Sequence, residues 1–202
     1  MLKRGEVYEN PVTGERVVIL VGTDETLGER VIAELTVRKG RTVPVEHIHP
    51  NVHERFTVVG GRIGFVLNGM RSTAEDGQTV YIPPGVSHDW WKEGDEDAMA
   101  LVEVRPAARF EEFIRNRFGL AQDGKTDAKG IPGLLQRALL LREFRDVIQV
   151  RRQSHFARRL VLALTAAVAR LFGYRGSYPK YLNRPPSEVL PLEVPTNGHR
   201  AA

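Results

Sequence analysis

Short runs rich in β-branched residues, cut by glycine-containing steps, fill the first half of this chain and stop at Pro106. The runs are Glu15–Gly22, Val31–Lys39, Thr57–Val59, Arg62–Leu67, Thr79–Ile82 and Ala98–Val104. Branching at Cβ restricts χ1 and suits the pleated, half-buried surface of a strand. Gly60-Gly61, Asn68-Gly69, Asp76-Gly77 and Gly94-Asp95 separate the runs and carry turn chemistry. Many short strands at near-regular spacing predict a sandwich or barrel over residues 5–105. No internal repeat of roughly 20–50 residues is visible, so one barrel is expected and not two.

The period changes after Pro106. Phe110, Phe113, Ile114 and Phe118 follow helical spacing, with Glu111 and Glu112 early and Arg115 and Arg117 late, as the helix dipole favours. Gly119 reads as the stop of this helix. Pro132 opens a second helix, expected to run through about Gln149. A third is expected from about Gln153 to Phe172, ending at Gly173. From Pro179 onward the chain is proline-rich and weakly periodic, so Asn183–Ala202 reads as an extended arm or disordered tail. The predicted organisation is mainly β: a barrel at 1–105, a helical extension at 106–178, and an arm at 179–202.

Two motifs inside the barrel region carry chemistry. The first is Gly40-x6-His47-x-His49-x4-Glu54-x6-Gly61. The second, after a 15-residue gap, is Gly77-x5-Pro83-x-Gly85-x2-His88. On a strand, His47 and His49 point to the same face. Pro50 and Asn51 supply a turn, which lets Glu54 return on the next strand to face the same interior. His88 follows the Pro84-Gly85 turn. Three imidazoles and a carboxylate make a donor set for Fe, Mn, Co, Ni, Cu or Zn in the divalent state. His53 has opposite parity to Glu54 and is disfavoured as a ligand; His155 and His199 fall outside the barrel. By the same parity Phe56, Val58 and Trp90 continue the inward face and are the candidate walls of a pocket for a small molecule. Trp91 is expected to face away, and Glu103 is a candidate inner carboxylate with an exposed placement equally open.

Together these motifs resemble the cupin superfamily, over about 20 residues in the first block and 12 in the second. The resemblance implies an RmlC-like jelly-roll barrel. It also implies one divalent transition metal per chain, held by His47, His49, Glu54 and His88, with iron or manganese favoured and zinc, nickel, cobalt and copper open. One departure is Lys92, where the second motif often carries Asn. The expected function is that of a metal-dependent oxidoreductase, dioxygenase-like, acting on a small organic substrate. A metal-dependent isomerase and a non-catalytic binding module are the alternatives. Glu54 is the candidate catalytic residue, as a general base if it leaves the metal.

Cysteine is absent, which excludes disulfides, thiolate metal sites and thiol nucleophiles and fits a cytoplasmic setting. The N-terminus lacks an apolar run after its charges, so no secretory signal is expected. The charge is split: residues 1–119 hold 15 Lys/Arg against 19 Asp/Glu, and residues 120–202 hold 14 against 6. With no nucleic-acid-binding motif, the basic half reads as a solvated helical surface. The apolar stretch Leu160–Ala169 calls for burial, and a homodimer is the expected cover. Peripheral contact with anionic lipid is the alternative.

Overall fold

In a computed structural model, residues 1–38, 46–150 and 156–193 are described. Gly40, the expected start of the third helix at Gln153, His155, and His199 with the end of the arm lie outside the described residues. Two antiparallel sheets face each other. The first holds β1 (Glu6–Asn10), β2 (Glu15–Val21), β3 (Val31–Val37), β5 (His53–Gly60), β8 (Thr79–Ile82), β10 (Ala98–Arg105) and β12 (Glu188–Val189). Its order is β12-β1-β2-β3-β10-β5-β8. The second holds β4 (His47–Ile48), β6 (Arg62–Leu67), β7 (Met70–Glu75), β9 (Ser87–Glu93) and β11 (Gln149–Val150), in the order β11-β4-β9-β6-β7.

Alternation sets the faces. Along β3, Val31, Ala33, Leu35 and Val37 are buried, while Ile32, Glu34 and Thr36 lie on the other face. Along β5, Glu54, Phe56 and Val58 turn inward and His53, Arg55 and Val59 outward. Leu35, Val37, Phe56, Val58, Ile63, Phe65, Ile82 and Trp90 form the core between the sheets. Asn68 (φ 50°) and Gly69 (φ 86°) make the two-residue hairpin between β6 and β7, where both central residues need positive φ. Strand β7 escapes a reading based on apolar alternation because only Ala74 in it is buried.

The helices depart from the sequence expectation at two points. Helix α1 (Ala108–Gln122) runs straight through Gly119. A Cβ there would lie 2.3 Å from the Tyr181 ring, so Gly119 provides room for a close contact and does not end the helix. Helix α2 (Leu134–Glu143) stops before Gln149. The chain then turns over the buried Phe144 and Val147, and Gln149–Val150 pair with β4 as β11. Helix α3 (Phe156–Leu171) rests on α2 and is followed by Gly173 in the left-handed region (φ 77°).

Beyond it, Pro179–Leu182 forms the single-turn α4, and Asp123 ties it to α1 by accepting from Lys180, Tyr181 and Arg184. Residues 187–190 then lie along β1, where Ser187 N–H donates to Val7 O and Leu190 N–H to Gly5 O. The extension is therefore woven into both sheets, β11 into one and β12 into the other.

Candidate metal centre

Strand register brings the histidines together. His47 on β4 stands opposite His88 on β9, and His49 follows His47 by two residues. Glu54 reaches the cluster from β5 in the other sheet. All four side chains are buried. Candidate ligand atoms of His47, His49 and His88 lie within 4.8 Å of one another. His47 Nε2 and His49 Nε2 are 3.1 Å apart. Glu54 Oε2 is 3.0 Å from His88 Nε2, and Glu54 Oε1 is 3.6 Å from His49 Nε2.

The outer nitrogens fix the rings. His49 Nδ1–H donates to Val147 O at 2.5 Å, and His88 Nδ1–H donates to Val86 O at 2.9 Å. Each bond turns Nε2 into the cluster as the atom a metal would take, as metal-ligating histidines are usually held. Glu54 Oε2 and His88 Nε2 are near each other but not aligned as donor and acceptor, so both are buried without a hydrogen-bond partner. Buried polar atoms left this way demand a third party. Nitrogen and oxygen ligands each about 2.0–2.2 Å from a shared ion would sit roughly 3–3.5 Å from one another. The donor set and its spacing therefore fit a divalent transition metal.

Electrostatics favour the charged carboxylate. Burial alone would raise the Glu54 pKa, but the charges of His49, His88 and His47 outweigh it and lower the value to about 2. Burial acts on His88 in the opposite sense, and the Glu54 carboxylate overcomes it, raising the imidazole pKa. Glu54 is thus an anion, suited to ligation; as a base it is weak.

The cluster opens on an apolar cavity of about 150 Å³. His47, His49, Glu54, Phe56 and Trp90 line it, as do Ala33, Leu35, Val102 and Val104 from the first sheet. Val58, expected as a wall, does not line it: this residue lies two positions further along β5 and is packed fully into the core. The opposite wall comes from the extension, with Phe110, Phe113, Ile114, Arg117 and Phe118 of α1 and Ile148 before β11. The Phe110 ring meets His49 edge-on at 5.6 Å. Parity along the ligand strands had no way to find these residues; their only signal was the apolar stripe of α1. Arg117 is clamped by Glu15, with Nη1–Oε1 at 3.1 Å and Nη2–Oε2 at 2.7 Å, both side chains largely buried.

The other candidates lie elsewhere. His53 is exposed and bonds to the Tyr81 hydroxyl. Trp91 packs against Gly64 on the other face of the second sheet, with Arg71 over its ring. Glu103 sits on the outer face with Arg55. Lys92 is occupied by the carbonyls of Gly94 and Glu96.

Residues 33–104 match the sequence model of the family described as the cupin domain. Comparison with curated proteins found no match. Among solved structures, the chain is similar to a predicted oxalate decarboxylase from Thermotoga maritima (18% identity, 52% of this chain and 97% of that one, TM-score 0.44). It is also similar to an RmlC-like cupin from Shewanella frigidimarina (19%, 52% and 86%, 0.43). A third is a sugar phosphate isomerase of the cupin superfamily from Silicibacter pomeroyi (18%, 52% and 71%, 0.42).

Proposed function

We propose, from the match of residues 33–104 to the cupin domain, a metal-dependent oxidoreductase that acts on a small, largely apolar organic molecule. The observation that carries this reading is the adjacency of the buried His-and-Glu cluster to an apolar cavity. His47, His49, Glu54 and His88 would hold one divalent transition ion, iron or manganese before the others. When bound, such an ion supplies Lewis acidity and, if redox-active, a centre for electron transfer.

The chain's own residues do the rest. His47, His49 and Glu54 face the cavity, so a substrate seated there meets the ligand cluster directly. The apolar walls from Phe56, Trp90, Phe110 and Phe113 exclude water and select an uncharged or aromatic body. The Arg117 guanidinium faces the same space, but Glu15 already neutralises it. Glu54 faces the cavity beside the histidines and would be the group to accept a proton from a substrate, as a weak base given its low pKa.

Elemental analysis of protein purified without chelator, followed by oxygen-uptake screening of small aromatic and aliphatic substrates, tests the proposal. About one metal per chain with substrate-dependent oxygen uptake is expected. Glu54→Gln should then lower the rate more than the metal content. Metal without oxygen uptake, but with substrate rearrangement, would place the chain among isomerases. Absence of metal after reconstitution would sink the reading.

A further inference from the structure

We infer that α3 and the turn after it form a docking face for an anionic lipid surface. This inference is independent of the metal reading. Helix α3 buries one side only: Ala166 and Ala169 pack on Ala138 and Leu139 of α2. Its small residues let the two helices approach closely. Leu160, Val161, Leu164, Val168, Leu171 and Phe172 are exposed, Leu171 at 86% and Phe172 at 72%. At 100° per residue these six fall within an arc of about 120°, on the side away from α2. The result is a continuous apolar stripe, larger than the scattered exposed side chains of an ordinary surface.

Charge selects the occupant. From Phe156 to Pro179 the sequence holds four Lys/Arg and no Asp or Glu. A second copy of the same helix, the cover expected from sequence, would bring another wholly cationic segment against the first. Neither copy supplies an acid from this segment to offset the repulsion. An anionic bilayer supplies both missing elements, acyl chains for the stripe and negative headgroups for the arginines. No described helix is long and apolar enough to cross a membrane, so the predicted contact lies in the interface plane.

Co-sedimentation of the full chain with vesicles tests this. Phosphatidylcholine vesicles should bind it weakly. Vesicles of equal parts phosphatidylcholine and phosphatidylglycerol should bind at least about tenfold more, and raised salt should remove most of that difference. Leu164→Glu combined with Val168→Glu should abolish binding while thermal unfolding and metal content of the barrel stay unchanged. Equal binding to both vesicle types, or undiminished binding by the double variant, would overturn the inference. So would a wild-type dimer by light scattering that the double variant splits and that ignores vesicles; a second copy would then cover the stripe.

Discussion

The two walls of the cavity are built on different principles. The barrel wall comes from strand register, and its His47, His49 and Glu54 sit inside the stretch that matches the cupin domain. The helical wall, Phe110, Phe113, Ile114, Arg117 and Phe118, lies wholly outside that stretch. One wall carries the candidate metal ligands, which a short motif can encode. The other sets the shape and polarity of the space beside it. A ligand motif alone therefore says little about which molecule is accepted, because a different helix over the same barrel would leave a different cavity.

Substitutions can separate the walls. The largest effect is expected from His47→Ala with His49→Ala, which should remove the metal beyond the roughly 100-fold that losing an outer partner costs. Circular dichroism should still report a folded barrel, and full metal occupancy would refute the ligand assignment.

Glu15→Ala attacks the helical wall instead. It leaves Arg117 largely buried and unpaired, at a cost of about 3–5 kcal/mol in urea denaturation. Metal content should not change; if it does, the walls are not separable. Gly119→Ala should cost about 1–3 kcal/mol by forcing Tyr181 off α1. A neutral result would show that α4 shifts freely.

The smallest effect concerns protons. The Glu54 carboxylate raises the His88 pKa, so the charged imidazole beside it stabilises the protein without metal below the ordinary imidazole value. That contribution is lost as pH rises through the raised value. Metal requires the neutral ring, so acidification should expel it, with affinity falling about tenfold per pH unit below the raised pKa. Titration calorimetry across pH 5–8 measures this, and a flat profile would show that His88 is not a ligand.

Much of the barrel wall was legible because the strand period is two. His47, His49, Glu54, Phe56 and Trp90 all point where parity puts them. Parity gives a face but not a depth, so it assigns Val58 to the pocket although the residue lies in the core. The helical wall needed contacts between distant parts of the chain. Gly119 reads as a helix stop until Tyr181 is seen against it. Gln149 reads as the last turn of a helix until it is seen paired with Ile48 of β4. Strand β7 is too polar to announce itself, since its sole buried residue is Ala74.

The hydrogen bond from His49 to Val147 has a consequence in time. A chain is made from its N-terminus, and the two residues lie 98 positions apart. While the barrel strands are already emerging from the ribosome, the carbonyl that fixes the His49 ring has not yet been synthesised. The ring orientation seen in the finished protein is thus a late product of translation, waiting on a segment that follows two helices behind the last barrel strand before it.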